Sequence, residues 1–509
     1  MASNTQPDAA ADRITALTVP DVEMAPISKA DSKQDVDPFL VIFNPQHDAG
    51  NPKDWPTSRK WAVTDVLSAT GFIRIMVSTI MAPALGTIAK ELDMNSAESV
   101  MALSIYLLAT AFGPLVIGPL SEIYGRQRIL HASNVWFLVW NIACGFASTK
   151  GLLIAARFLA GFGASSVYAL AGGVLGDVWS HEQRGRSLGM YLLIPLLGAA
   201  VGPIIGGFMA ARTTWRWMFW STSIFQAVMI LVSFASFRET YAPVILRARA
   251  EKLRRETGDQ EYKTLEERLY GHKSALSVLG RSLTRPVRLL AFHPIIQISA
   301  VISAFYYGIL YILLSTLSTL WVDQYHQSVE ISGLHYIACA LGEIAGSQIG
   351  GPLMDYIFRR MQASRDTSSR TDELYVPEFR IPLMFPGAFV APFGLLLYGW
   401  TAQYQLHWLV VDVGVFIVTF GMQIAGMPLT AYVIDAYGEH TSSAAAAQQF
   451  LKSLTAFLFP LFAPKMFEVM GYGWGSTSMA LAGLSLGFPA PLILWYYGAR
   501  LRAKAGNTF

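Results

Sequence analysis

The stretch GPLSEIYGR, at residues 118–126, recurs as GPLMDYIFR at residues 351–359. Both copies begin with Gly-Pro-Leu, place a carboxylate two residues after the leucine, and end with an arginine four residues after the carboxylate. Each copy follows an apolar run, so its acid and its arginine are expected about one helical turn apart at a helix end. A shared positively charged turn would need only the arginine. The further agreement predicts two related halves of one chain.

The sequence around these two stretches is predominantly apolar. Hydrophobic residues make up 53% of the 509 residues, charged residues only 14%, and the mean hydropathy is +0.39. Soluble chains carry about 25% charged residues, and a membrane-crossing helix needs about 20 apolar residues. Runs of that length lie near 61–86, 99–119, 129–148, 152–175, 188–210, 217–236, 292–320, 331–354, 381–401, 407–432, 443–466 and 476–498. We therefore predict an all-α membrane protein with twelve transmembrane helices in two pseudo-symmetric six-helix bundles.

The polar segments predict the domain boundaries. We expect a disordered tail at 1–50, a first bundle at 51–237, a central loop at 238–291, a second bundle at 292–498 and a short tail at 499–509. Lysine and arginine cluster in the central loop, near both termini and in the loops on that same side. The positive-inside rule therefore places both termini and the central loop in the cytoplasm.

Several function classes are not indicated. The sequence contains no P-loop and no zinc-ligand cluster, so we expect neither an enzyme nor a cofactor or metal. The net charge of +3 gives no indication of nucleic-acid binding. Cys144 and Cys339 both lie within apolar runs, so no disulfide is expected.

A glycine-rich stretch, GAAVGPIIGG at 198–207, lies in the fifth apolar run. Gly198, Gly202 and Gly206 share one helix face, where another backbone can approach closely, and Gly207 ends the stretch. Pro203 removes a backbone hydrogen bond and kinks the helix. The expected partner face, in the eighth run, consists of Gly342, Gly346 and Gly350. Ordinary small-residue packing is the alternative, but the ten-residue pattern favours a role in a transport cycle.

Several stretches resemble the major facilitator superfamily, and within it the twelve-span fungal branch of drug:proton antiporters. They are NPKDWPTSRKW at 51–61, GPLSEIYGRQRIL at 118–130, RFLAGFG at 157–163 and RETYAPVILRARAEKLR at 238–254. Two positions differ from the family pattern: Glu122 stands where an aspartate is usual, and Arg238 replaces a proline. The pattern at 198–207 is similar to one that the superfamily's antiporters share and its importers generally lack. The resemblance covers about residues 51–500 and implies efflux.

Charged residues inside membrane spans are costly and therefore candidates for function. Arg74, Arg157, Glu343 and Lys452 lie within apolar runs, and we expect them to take part in proton coupling. Arg157 resembles a family arginine linked to proton movement. If Arg74 or Lys452 faces Glu343 across a central cavity, proton release and substrate binding can compete for one site. Static pairing, or a position at a water-filled edge, is the alternative for Arg74 and Lys452.

Other charged and polar residues are assigned to two further groups. Charges near helix ends such as Asp412 are expected to be solvated. We expect an inner charge network that stabilises an outward-facing state, formed by Glu122, Arg126, Asp177, Arg184 and Arg186, with Asp355 and Arg359 in the second copy. A broad aromatic cavity suits a hydrophobic ligand, and its candidate residues are Tyr306, Tyr307, Tyr311 and Gln423.

These observations together predict a proton-coupled exporter of a hydrophobic organic molecule, either a xenobiotic or a secondary metabolite such as a mycotoxin. Its partners would be the small-molecule substrate, protons and the lipid bilayer, without nucleic acid, and it would act as a monomer. We expect it in the plasma membrane, with a vacuolar or vesicular membrane as the alternative. A nutrient or polyamine carrier of the same fold remains the second interpretation. A membrane sensor is the third, although a central loop of about fifty residues is short for a sensor domain.

Overall fold

The computed structural model describes residues 39–506 except 45, 180, 271–274, 367–375 and 438–440. Within this part of the chain nearly all of the secondary structure is helical, as lipid requires, because a helix satisfies its own backbone hydrogen bonds. The first half contains α1 (Thr57–Thr79), α2 (Leu85–Glu91), α3 (Ser96–Tyr124), α4 (Arg126–Gly145), α5 (Lys150–Ala164), α6 (Ser166–Val178), α7 (His181–Arg212) and α8 (Arg216–Ser236).

The second half repeats this arrangement after a central segment. The central segment contains α9 (Ala242–Thr257), α10 (Leu265–Tyr270) and α11 (Ala275–Phe292). The second half contains α12 (Pro294–Thr319), α13 (Val329–Leu334), α14 (Tyr336–Asp366), α15 (Met384–Gln403), α16 (Trp408–Tyr437), α17 (Thr441–Gly487) and α18 (Pro489–Gly506). Short 3₁₀ helices lie at Pro52–Asp54, Ala82–Ala84 and Pro377–Leu383, and a π-helical turn lies at Leu320–Gln324.

Nine described stretches are long and apolar enough to cross a membrane, and one of them runs for 61 residues from Ser443 to Ala503. That stretch turns back at Gly471, whose φ of +72° favours glycine, so it holds two crossings. The helices α4 and α14 carry more polar side chains, but their 20 and 31 residues are also long enough to cross. The described residues thus form the twelve crossings that the apolar runs predict.

The helices pack within each half and then across the two halves. In the first half α1 packs on α7, α3 on α5, and α4 on α5 and α8; in the second half α16 contacts α14 and α15, and α12 contacts α17. Contacts between the halves join α3 to α17 and α7 to α13 and α14. Successive crossings alternate in direction, so the α7–α13 contact lies on the face opposite α9–α11, which we call the far side.

The predicted disordered tail at 1–50 is wrong for its last part. Residues Leu40–Val41 form β1, which pairs in parallel with β2 at Lys263–Thr264 in the central segment. Asp48 is buried, and its carboxylate accepts hydrogen bonds from Arg249 of α9 at 2.7 and 3.0 Å. A partly buried, charge-assisted pair of this kind orders a segment whose composition alone indicates disorder. Residues 1–38 lie outside the described part of the chain.

Candidate functional site

The glycine face of α7 packs on α1. A Cβ atom placed on Gly198 or Gly202 would lie 2.7 Å from the Phe72 carbonyl oxygen or 2.6 Å from that of Met76, and one on Gly206 would meet the Ile80 carbonyl oxygen. These carbonyls recur every four residues, so glycine lets the two backbones touch along a continuous line.

The predicted partner face in the eighth run is wrong. Cβ atoms on Gly342 and Gly346 would meet backbone or side-chain atoms at Phe416, Thr419, Phe420 and Gln423 of α16. The glycine face of α14 is therefore occupied by its neighbour in the same half. A repeating glycine spacing shows that some backbone approaches closely, and it does not show which one.

A neighbouring face of the α7 stretch meets the second half of the chain. A Cβ atom on Gly333 of α13 would lie 2.7 Å from the Pro203 carbonyl oxygen, and one on Gly207 would lie 2.8 Å from the Val329 carbonyl oxygen. We call this contact the α7–α13 seal, defined by Pro203, Gly207, Val329 and Gly333. The sequence GPIIGG therefore serves both faces of α7 at once, one toward α1 and one toward the other half.

Two weaker contacts flank the α7–α13 seal on the far side. Arg212 Nε donates to Glu330 Oε1 at 2.8 Å, but Arg212 is 70% exposed, so this pair adds little stability. Ser318 Oγ lies 3.0 Å from Ser332 Oγ of α13 and 3.5 Å from the carbonyl oxygen of Pro83 in the first half. The halves are therefore closed against each other on the far side.

Arg157 binds backbone carbonyls of two neighbouring helices. Its guanidinium donates to the carbonyl oxygens of Val77 at 2.9 Å, Ala102 at 3.2 Å, Leu103 at 3.2 Å and Ser78 at 3.5 Å, and the side chain is fully buried. The last carbonyls of α1, which ends at Thr79, have no partner within the helix, and a cation stabilises them. The side chain thus joins α5 to the end of α1 and to α3.

Arg74 points into the first half and away from the second. Its Nη2 donates to Asn134 Oδ1, and its guanidinium carbon lies 3.8 Å from the ring centroid of Phe137. Both partners belong to α4 of the first half, so Arg74 does not face Glu343 across a cavity. Static burial within one bundle, which was the alternative for this residue, describes its position.

Glu343 lies buried in α14, 7% exposed, and forms no ion pair or hydrogen bond with the residues that the structure describes. The phenol of Tyr311 and the thiol of Cys339 are close enough to sense its charge. Arg157 also acts electrostatically on Tyr311, from the first half. Tyr311 therefore lies within electrostatic range of both candidate groups for proton coupling.

Lys452 is the second unpaired charge at mid-depth. Its ammonium has no partner among the described residues. On α17, Thr455 donates to the Ala304 carbonyl oxygen of α12 at 2.6 Å, and Ser453 lies 3.0 Å from Thr110 of α3. Helical periodicity places Lys452 between these two faces, so it lies where the two halves meet, and no charge contact joins it to Glu343.

The four cavity candidates separate into two pairs. The phenol of Tyr307 lies close to those of Tyr168 in the first half and Tyr311, and Tyr311 also neighbours Ser78. By contrast, Tyr306 packs against Gly487 of α17, and Gln423 packs against Gly346. Tyr307 and Tyr311 are thus at the interface between the halves, and Tyr306 and Gln423 lie inside the second half.

The inner charge network of the first half centres on Arg126. Arg126 Nε contacts Asp177 Oδ2 at 3.5 Å, and Nη1 donates to Ser121 Oγ at 2.6 Å. Glu122 is exposed at the same helix end. The side chains of Arg184 and Arg186 lie outside the described part of the chain.

Glu239 belongs to this network and was not predicted. Its carboxylate accepts hydrogen bonds from the backbone N–H groups of Arg126 at 2.9 Å and Gln127 at 3.2 Å, which are the first residues of α4. Unpaired N–H groups at a helix start favour an anion. The residue lies in the RETYAP stretch that carries the family resemblance, and this resemblance is the sequence feature that could have identified Glu239.

The second half builds its network from different residues. Asp355 lies 3.6 Å from Arg380 Nη1, and Arg380 Nε also donates to Asp435 at the end of α16. Arg359, the arginine of the repeat, is exposed. The repeat therefore predicts the place of the network but not its arginine, since a basic residue further along the chain takes that position.

In each half, a charged residue near the end of the last helix binds the loop between the second and third crossings. This residue is acidic in the first half and basic in the second. In the first half the acid is Glu239, after α8. In the second half Arg502 of α18 donates to both oxygens of Glu378 at 3.0 Å.

Among the described residues, no group of three or more His, Cys, Asp or Glu side chains could hold a metal ion.

Comparison with known proteins agrees with this geometry. A family model described as Major Facilitator Superfamily matches residues 67–460. A "Probable efflux pump mfs2" of Aspergillus flavus is 56% identical over 430 residues, which cover 84% of this chain and 100% of that protein. "Efflux pump vrtL" of Penicillium aethiopicum is 39% identical, over 92% of each chain.

Solved structures share the fold at low sequence identity. The Escherichia coli xylose transporter XylE, in a partially occluded inward open conformation, aligns with a TM-score of 0.60 and 14% identity, covering 87% of this chain and 98% of that one. The human organic anion transporter MFSD10 aligns with a TM-score of 0.57 and 15% identity, covering 86% and 100%. These likenesses concern the fold alone.

Proposed function

Because the chain belongs to the major facilitator superfamily, a family of membrane transporters and not of enzymes, we propose that it exports a hydrophobic organic molecule from the cytoplasm in exchange for protons. The cargo class is a xenobiotic or a secondary metabolite. Relatives named efflux pumps support the outward direction, and so does the glycine pattern of α7. The distribution of basic residues supports cytoplasmic termini and a far side that faces outward.

The observation that carries proton coupling is the isolation of Glu343. A lone buried carboxylate is costly unless it is protonated or paired. A group without a fixed ion pair can take up and release a proton as the halves rock, because no salt bridge has to break. Tyr311 lies within electrostatic range of this carboxylate and close to Tyr307, whose phenol neighbours Tyr168 of the first half, so cargo bound among these phenols would sense its charge.

The α7 packing supports an alternating cycle. Since α7 touches α1 through Gly202 and α13 through Gly207, a tilt of the first half must break the α7–α13 seal while the α1–α7 contact can persist. The far side then opens for release of cargo. Proton uptake from outside would allow the seal to form again and return the carrier to the cytoplasmic side.

A transport assay tests the proposal. The cargo is first identified as the metabolite that accumulates in cells when the gene is deleted; a fall in its level would indicate import and contradict the proposal. The purified protein is then placed in vesicles with an imposed pH gradient. We expect Glu343→Gln to abolish proton-driven exchange while cargo binding persists. The matched control is Glu468→Gln, because Glu468 is 71% exposed and pairs with Lys465 at the surface; proton-driven exchange by Glu343→Gln at the control rate would refute the role.

A further inference from the structure

His335 links the α7–α13 seal to the rest of the second half. α13 ends at Leu334 and α14 begins at Tyr336, so His335 is the residue between them. Gly333, whose backbone touches Pro203 of the first half, is only two residues away. The position of the His335 side chain therefore helps to set where α13 stands relative to α7.

The imidazole of His335 is held by polar and aromatic contacts. Nδ1 lies 2.7 Å from Asp412 Oδ2, and Nε2 lies 2.8 Å from Gln327 Oε1. The ring stacks on Trp321 with 3.8 Å between centroids and 16° between planes. His335 is 6% and Asp412 9% exposed, so Asp412 is buried here and the expectation that it is solvated is wrong.

These partners suit a ring that gains and loses a proton. A carboxylate and an amide oxygen are both acceptors, so the arrangement matches an imidazolium that donates from both nitrogens. After loss of one proton, rotation of the Gln327 amide can present an N–H to the neutral ring. Histidine is the side chain that titrates close to neutral pH. Gln327 is partly exposed in the far-side loop, which gives protons a route from bulk water.

The ionisable groups around this ring come from every element packed near it. The described ionisable residues on these elements are Asp412 of α16, His407 before α16, Tyr325 and Asp323 after α12, Glu330 of α13 and Arg212 of α7. Asp412 makes the direct contact, whereas Glu330 is paired with Arg212. The carboxylate of Asp412 is therefore the charged group in direct contact with the ring.

We propose that the His335–Asp412 pair is a proton-binding lock, in which the charged imidazole holds α13 in place and closes the far side. The proton comes from water on the far side and returns there when the lock opens, so the pair sets the ratio of closed to open forms and carries no charge across the membrane. The inference rests on the proposed function, because it assumes that the far side faces outward. In an antiport cycle, external protons would then favour closure after cargo has left.

The test measures opening of the far side and not transport. Cys144 and Cys339 are replaced by alanine, and Ser318→Cys, at a position only 4% exposed beside the seal, reports opening by its reaction with a membrane-impermeant maleimide in proteoliposomes. Rates are corrected for thiol ionisation with a free thiol. We expect labelling to rise about tenfold from pH 5 to pH 8, within the range of coupling between two sites.

Two variants identify the responsible group. His335→Gln should give a labelling rate that no longer depends on pH, and Asp412→Asn should raise the labelling rate at pH 5 because the imidazole loses the carboxylate that holds it. The matched control is His326→Gln in the same loop, which should keep the native profile. A flat profile in the parent protein, or a native profile in His335→Gln, would overturn the proposal.

A Glu343→Gln background separates this inference from the proposed function. If the labelling profile persists there, His335 controls closure independently of the coupling carboxylate. If the profile disappears, the proton acts at Glu343 and the lock is refuted. A protein that shows the lock without proton-driven exchange would retain this inference and lose the antiport mechanism.

Discussion

Replacement of Gly333 by alanine should open the far side of the transporter. The added Cβ would lie 2.7 Å from the Pro203 carbonyl oxygen and 3.4 Å from the Ile204 Cα atom. Since ordinary contacts begin at 3.4 Å, α13 would have to move from α7 by roughly 0.7 Å. Both neighbours are backbone atoms of the other half, so no flexible side chain can yield.

The magnitude follows from the cost of overpacking. Inserting a methyl group into a packed contact costs about 1–3 kcal/mol. The clash exists only while the two halves touch, so the cost falls on the closed form alone. With about 1.4 kcal/mol for each factor of ten, the ratio of closed to open forms should fall by roughly 5- to 150-fold.

Maleimide labelling of Ser318→Cys measures this ratio directly. Gly333→Ala should raise the labelling rate by a factor in that range, at a pH where the parent is closed. The matched control is Gly426→Ala in α16, where an added Cβ meets nothing within 4 Å, and this variant should label at the parent rate. Equal rates for Gly333→Ala and Gly426→Ala would show that the α7–α13 seal does not hold the far side closed.

Two further predictions concern stability. Arg157→Lys replaces a guanidinium that reaches four carbonyl oxygens with a single ammonium. We expect the free energy of unfolding to fall by about 1.5–3 kcal/mol for each charged hydrogen bond that is not replaced, which would appear as a lower Tm in detergent. An unchanged Tm would contradict the role of Arg157 in joining α5 to α1 and α3. The Arg249 guanidinium holds the pKa of Asp48 well below its usual range, so the contact should be present above the ordinary carboxylate pKa of about 4, persist somewhat below it, and be lost only as pH falls further. Asp48→Asn should raise hydrogen exchange in residues 39–51 already at neutral pH, and exchange equal to that of the parent would show that this pair does not order the segment.

The repeat, the membrane crossings and the glycine-rich stretch can be recognised from the sequence, because these features depend on composition and spacing along the chain. The sequence does not predict which way a side chain points. In a membrane helix the lipid-facing and packed faces are both apolar, so amphipathicity no longer identifies the buried side. Arg74 illustrates this: its position in the span indicates burial, and only the structure shows that it turns toward α4.

The residues of the candidate site can likewise be recognised in the sequence, but their contacts cannot. Glu343 is recognisable as a costly charge, but its lack of a partner depends on side chains from several helices. His335 lies between α13 and α14, Asp412 lies near the start of α16, and each looks like an ordinary residue at a helix end in the sequence. Their pairing follows from the packing of α14 on α16, which no local pattern encodes.

The way Arg157 is held has a consequence for how this protein can evolve. Its four acceptors are main-chain oxygens of Val77, Ser78, Ala102 and Leu103, and every amino acid supplies such an oxygen. The side chains at those positions can therefore drift while the arginine stays bound. Covariation between homologues would find no partner for Arg157, although it joins three helices at the centre of the first bundle.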